Sequence, residues 1–233
     1  MGQQNLNEYF TDLLQKVDLQ IQDFEDNNND PFSLCKQVID YLQEIIGELK
    51  AFIISYSFTS KEEEIYFFKE QKPIIASKII YYNTVYQFEL RFPNGSEETQ
   101  KEFIMAETDR ILAHFQRNIS FYQYYRTKAT YLDHKYFLRG KPDIHILIDN
   151  FYYEADPQFS TSYDYKVAKI LAIELFAIYL TNRLNELERR FQRQQVKNGN
   201  IKKLLRWTGT KRALVELIYA LYTNGDFNKG TVD

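Results

Sequence analysis

The sequence predicts an all-α protein: a large N-terminal helical domain followed by a small basic module with the layout of a helix-turn-helix or winged helix. Three observations carry this. Only 8 Gly and 5 Pro interrupt 233 residues, so helix breakers are scarce. Apolar residues recur at spacings of three and four along most of the chain, the period of a helix face turned to a core. The charge is also divided. Residues 1–110 carry 10 Lys/Arg against 20 Asp/Glu and residues 111–233 carry 19 against 12, so a chain of net charge −3 joins an acidic front to a basic back.

Leu6, Tyr9, Phe10, Leu13, Leu14, Val17, Ile21 and Phe24 mark a first helix, ended by the acidic and Asn-rich stretch Glu25 to Pro31. Leu34, Cys35, Val38, Ile39, Leu42, Ile45, Ile46, Leu49, Phe52 and Ile53 repeat the pattern and give a second helix, antiparallel to the first across a short turn. Ser60 with Glu63 three residues on is a capping box, which opens a third helix through Phe68. Pro73 fits the first turn of a fourth. The stretch Ile74 to Phe92 is rich in β-branched and aromatic residues, yet Ile75, Ile79, Tyr82, Tyr86 and Leu90 keep helical spacing, and helix is the reading preferred over strand.

Pro93-Asn94-Gly95 is a turn, and Ser96 caps a helix from about Glu97 towards Tyr125 carrying Phe103, Ile111, Leu112, Phe115, Ile119 and Tyr122. Gly140 and Pro142 break the chain, and residues from Ile144 to Tyr153 read as a short extended segment or loop leading to Asp156-Pro157. Ser160-Thr161-Ser162 offers hydroxyl caps to a long helix through about Gln194, with Val167, Ile170, Leu171, Glu174, Leu175, Ile178, Leu184, Leu187 and Phe191 along it. Lys197-Asn198-Gly199-Asn200 reads as a hinge, dividing a helical domain of residues 1–196 from a module of residues 197–233. In that module Trp207-Thr208-Gly209-Thr210-Lys211 caps a helix with an apolar face of Leu214, Leu217, Ile218 and Leu221, closed by Asn224-Gly225. Asp226 to Gly230 form a second turn. Thr231-Val232-Asp233 open a further helix, so the module is expected to be incomplete at its C-terminus.

Several function classes are disfavoured. With 44% hydrophobic and 26% charged residues the chain has the composition of a globular protein with a real core, not of a disordered one. Cys35 is the sole cysteine, which excludes an intrachain disulfide and a cysteine-built zinc site and fits a reducing, cytoplasmic setting. The opening MGQQNLNEYF is not a basic-then-apolar leader, and no apolar run reaches the roughly 18 residues that cross a bilayer, so no membrane partner is expected.

His114, His134 and His145 fall in separate segments without metal-ligand spacing or a nucleophile motif, and there is no phosphate-cradling glycine loop. Asp133-His134 could be an oriented general base, but neighbours in sequence do not face each other on a helix, and a structural role is preferred. The run Glu62-Glu63-Glu64 suits a helix N-terminus. No catalytic residue, metal ligand or cofactor is expected. From Asn118 to Arg139 aromatics alternate with cations, including Phe121, Tyr122, Tyr124, Tyr125, Tyr131, Tyr136 and Phe137. Such a surface could stack bases, with Arg126 and Arg139 as anion contacts, but packing of these rings in a core is favoured.

The stretch Arg183 to Arg212 is more telling: ten Lys/Arg are opposed only by Glu186 and Glu188. A local excess of this size in an acidic protein points to an anionic partner, and nucleic acid, double-stranded DNA included, is the first candidate; a solvated helix face is the alternative. Lys202, Lys203, Arg206, Lys211 and Arg212 are the expected phosphate contacts, with Arg190, Arg193 and Lys197 extending the track. Thr208 and Thr210 of the cap and Asn228 and Lys229 of the second turn complete the candidate set. The order basic stretch, short helix, turn and opening helix is what a helix-turn-helix requires, and it is also that of an ordinary helical hairpin. A helical interaction module that docks an acidic partner, or pairs with a second copy as a homodimer, is the competing reading.

Longer motifs then narrow the choice. Phe58-x-Ser60-x-Glu62-Glu63-Glu64-Ile65-x-Phe67-Phe68-Lys69-x-x-Lys72-Pro73 and Lys78-Ile79-Ile80-Tyr81-Tyr82 are followed by Phe121-Tyr122-Gln123-Tyr124-Tyr125-Arg126 and Leu132-Asp133-x-x-Tyr136-Phe137-Leu138-Arg139-Gly140. Phe159-Ser160-Thr161-Ser162, Trp207-Thr208-Gly209-Thr210-Lys211 and Glu216-Leu217-Ile218-Tyr219-Ala220-Leu221 complete the series. In this order, from about Phe52 onward, the chain resembles the RteC family. The resemblance implies a cytoplasmic, non-enzymatic regulator of bacterial conjugative transposons in a tetracycline-responsive cascade. It would bind DNA upstream of an excision operon and activate transcription through a helix-turn-helix or winged-helix C-terminal part.

Overall fold

The computed structural model describes residues 5–140 and 156–197, with Ala213 and Glu216 beyond them. Two compact units divide the chain, Met1–Leu187 and Glu188–Asp233. The described residues hold helices and turns and no strand, which agrees with the all-α expectation. In order they are α1 Leu6–Asn27, α2 Pro31–Ser55, α3 Lys61–Tyr66, a π-helical turn Phe67–Gln71, α4 Lys72–Arg91, α5 Glu97–Arg117, α6 Ile119–Arg126, the single turn α7 Asp133–Tyr136, and α8 Asp164–Lys197.

Short polar side chains start the helices by accepting otherwise unpaired backbone N–H groups. Asn5 takes Asn7 N at 3.0 Å, Asp30 takes Ser33 N at 2.8 Å ahead of Pro31, and Ser96 takes Thr99 N at 3.3 Å. Ser60 takes Glu63 N at 3.1 Å as a capping box requires, but the Glu63 carboxylate reaches one residue further back, to Thr59 N at 2.6 Å and to the Tyr56 hydroxyl at 2.8 Å. Of the hydroxyls Ser160, Thr161 and Ser162 that precede α8, Thr161 Oγ1 is buried without a hydrogen-bond partner among the described residues, and Asp164 Oδ1 accepts Tyr165 N at 2.8 Å.

α2 is the central element of the first unit and packs on both α1 and α4. Its residues Cys35, Val38, Leu42, Ile45, Leu49 and Ile53 are buried on one stripe, opposite Leu6, Phe10, Leu13, Val17 and Ile21 of α1. Each such aliphatic side chain stabilises the fold by about 1.5–3 kcal/mol over an exposed one. α4 is a helix, as its spacing predicts, but the buried set is Ile75, Tyr82, Val85 and Phe88, while Leu90 stands 54% exposed.

α3 and α4 are one rod interrupted by the π-helical turn. Pro73 has no N–H to offer the carbonyl four residues back, and its ring crowds that carbonyl, so the chain widens there. Lys72 N–H accordingly reaches back five residues to Phe67 O. The extra residue turns Phe67, Phe68, Lys69 and Gln71 all inward.

The helix expected from Glu97 to Tyr125 is two helices, broken at Asn118. The Asn118 side-chain amide folds back onto His114 O at 3.0 Å, competing with the helical ladder. α5 buries only Ile104 and Glu107, and Leu112 and Ile119 of the predicted face are 54% and 46% exposed. α8 buries part of the predicted set, Val167, Ile170 and Leu187, together with Ala168, Ala172, Phe176 and Leu180, whereas Leu175 and Ile178 are 40% and 59% exposed. The region read as an extended segment or loop, Ile144 to Tyr153, lies outside the described residues.

Burial pushes the Cys35 thiol up to about 11, helped by the charges of Glu89 and Asp30. An unfolded thiol titrates near ~8.5, so the stability held in this group is complete below that pH and is lost as pH rises through the folded value. Tyr81 and Tyr125, raised to about 12 by burial, act in the same direction. At pH 8 Cys35 is therefore expected to react with a thiol reagent only as fast as the protein opens. Absorbance-monitored labelling of native protein at the rate of urea-unfolded protein would refute this.

Candidate nucleic-acid interface

Most cations of the first unit are already committed. Lys69, on the π-helical turn and 5% exposed, places Nζ 2.8 Å from Asp133 Oδ1 and 2.9 Å from Ala129 O, over the rings of Tyr124 and Phe137. The Tyr124 hydroxyl donates to the same Asp133 oxygen, which holds that phenol well above its ordinary range after burial has already raised it. Lys72 Nζ bonds Asp164 Oδ2 at the start of α8 and Phe159 O, with its charge 4.3 Å from the Phe159 ring centre. Arg139 Nε donates to Glu64 Oε1 at 2.7 Å, Nη1 donates to Gln158 O at 3.0 Å, and the guanidinium lies over Phe58. Three cations thus tie the rod Lys61–Arg91 to α7, to the chain after it and to the start of α8. Separated family-like stretches of sequence meet at this node.

These pairings correct two expectations. Arg139, read as an anion contact, is spent on Glu64. Arg183, counted at the head of the basic stretch, belongs to the first unit: Nε and Nη2 contact the Glu89 carboxylate at 3.1 and 3.3 Å, and the guanidinium covers Phe92. Arg126 is exposed and donates to the Tyr122 hydroxyl at 3.1 Å. The Tyr-rich segment packs as a core: Phe121 meets Tyr163 at 4.7 Å, Tyr136 meets Tyr163 at 3.7 Å and Tyr124 meets Tyr136 at 5.4 Å between ring centres. Tyr131, 78% exposed, is the exception. Asp133 turns inward while His134 faces solvent, so the two do not form a base and its orienter. His145 lies outside the described residues.

Among the predicted interface residues, Arg190 and Arg193 are exposed on α8, and Lys197 ends that helix. Spacings of three and four put the three positions on one helical stripe. With Arg189 they belong to the unit Glu188–Asp233. Lys202, Lys203, Arg206, Thr208, Thr210, Lys211, Arg212, Asn228 and Lys229 lie outside the described residues. Beyond α8, Ala213 and Glu216 are helical, at positions where the sequence places a short helix. Among the described residues no group of His, Cys, Asp and Glu could hold a metal ion, and no helix is long and apolar enough to cross a membrane.

The described residues define an all-α protein whose buried ions brace helices and whose long helix α8 carries exposed arginines towards its end. The chain matches the family described as RteC protein over residues 66–233, and it belongs to the RteC family. No curated protein and no solved structure matches it.

Proposed function

We propose that the protein is a DNA-binding transcriptional regulator that activates an excision operon of a conjugative transposon in a tetracycline-responsive cascade. Family membership over residues 66–233 is the observation that carries the reading. The stripe Arg190, Arg193 and Lys197, continuing in sequence to Lys202, Lys203, Arg206, Lys211 and Arg212, gives it a physical basis. Lys and Arg side chains that neutralise phosphates release counterions, which supplies affinity on any duplex. Specific reading then falls to a helix-turn-helix or winged helix in the module of residues 197–233.

Replacing Lys211 and Arg212 by alanine is expected to weaken binding to operator and unrelated duplexes alike. The slope of log K against log salt should flatten by about one unit per lost phosphate contact. A mobility-shift titration over several salt concentrations measures both, and undiminished affinity in the double variant would refute the assignment. Light scattering without DNA separates the competing class: self-association, with no shift on either duplex, favours a helical interaction module.

A further inference from the structure

Helices α5 and α6 carry a regular apolar stripe on their exposed side. Met105, Leu112 and Ile119 follow one another at intervals of seven residues and stand 61%, 54% and 46% exposed. Seven residues are close to two helical turns, so the three side chains lie one above another. The same spacing on α2, at Cys35, Leu42 and Leu49, is buried to 1% or less in a helix that packs on α1 and α4. The junction at Asn118 keeps the register, because Asn118 N–H still reaches His114 O at 3.2 Å and Asn118 O receives Tyr122 N–H at 3.0 Å. Phe115 and Tyr122, half-buried on the adjoining row with ring centres 4.6 Å apart, widen the apolar surface.

The charges at its two ends decide what fits on this stripe. One more step of seven in each direction reaches Glu98 at the start of α5 and Arg126 at the end of α6, both exposed. The row is therefore acidic at one end, apolar in the middle and basic at the other, with Leu112 at its centre. An antiparallel copy related by a twofold axis at Leu112 sets Glu98 against the copy's Arg126, Met105 against its Ile119, and Leu112 against itself. The exposed acids on the flanking row, Glu102 and Asp109, then face the copy's Gln123 and Gln116, which are neutral and exposed. A parallel copy would instead set Glu98 against Glu98 and Arg126 against Arg126, like charges that repel.

We propose that this face of α5 and α6 binds a second copy of the chain, packed antiparallel across Leu112. With 21 residues, α5 is about 30 Å long, enough for the apolar layers and the charged layer beyond them. Such a helix pair is small beside an obligate dimer interface, so the association is reversible. The face belongs to the unit Met1–Leu187, and the inference does not rest on DNA binding.

Sedimentation equilibrium of the full chain without DNA, at concentrations up to about 100 μM, tests the proposal. A dimer is expected. Leu112→Glu sets two carboxylates together at the axis and should raise the dissociation constant by about tenfold or more, with the circular dichroism spectrum of the wild type retained. Glu98→Arg and Arg126→Glu are each expected to weaken the dimer several-fold, and the two together to restore it, since the exchange returns opposite charges to facing positions. Leu175→Glu, on exposed α8 surface, should leave the dimer unchanged. A monomeric wild type, or a dimer that Leu112→Glu leaves intact, would overturn the proposal. So would a doubly exchanged variant no tighter than the single ones, or a dimer dispersed by Leu175→Glu instead, which would put the contact on α8.

Discussion

Asp133→Ala is expected to destabilise the unit Met1–Leu187 by about 3–5 kcal/mol, the usual consequence of leaving one half of a buried ion pair in place. Lys69 would keep its charge at 5% exposure with only Ala129 O and two aromatic faces as company. The Tyr124 hydroxyl would lose its acceptor as well. For a chain of this size that loss corresponds to roughly 6–20 °C in Tm, measurable by circular dichroism or calorimetry. A companion variant isolates the cause. With Asp133→Leu, Lys69→Met and Tyr124→Phe combined, only the half-buried Ala129 carbonyl loses a partner, and most of the stability should return, because apolar replacements of buried ion networks are often neutral or better. A triple variant as unstable as Asp133→Ala would show that packing at α7, not the stranded charge, is responsible.

Phe88→Ala is expected to cost a similar amount, about 3–5 kcal/mol, by a different route. Phe88 is fully buried, and its ring lies 5.4–5.8 Å from those of Phe92, Phe103, Phe176 and Tyr179. It is where α4, α5 and α8 converge, so truncation leaves a cavity that no single neighbour can fill. Phe88→Leu should retain most of the stability, since it keeps much of the volume. Urea denaturation of the three proteins measures this. Equal midpoints for wild type and Phe88→Ala would mean that the aromatic cluster adds little to the fold.

The sequence made the helices legible where periodicity and caps coincide. α1 and α2 begin at side chains that cap them and follow their apolar stripes, and α4 is helical despite its β-branched residues because spacing outweighs propensity there. Faces were harder to read. On α8 the large aliphatics Leu175 and Ile178 suggest the core side, whereas Ala168 and Ala172, which permit close approach, and Phe176 occupy it. Asn118 reads as an unremarkable helix residue until its side chain bonds backwards. The ion pairs left no local trace: Lys69 and Asp133 are 64 residues apart and Lys72 and Asp164 are 92 apart, so no spacing rule joins them. Arg183 was misassigned for the same reason, since its partner Glu89 lies far upstream.

The π-helical turn Phe67–Gln71 constrains chain length more than chemistry. An α-helix turns about 100° per residue, so losing one residue there would restore ordinary helical spacing and swing α3 by that angle against α4. Glu64 would be carried away from Arg139 while Lys72 stayed with Asp164. The rod therefore works as a counter of residues: within it, a conservative replacement costs one contact, whereas a single deletion takes the two halves of the ion network out of phase.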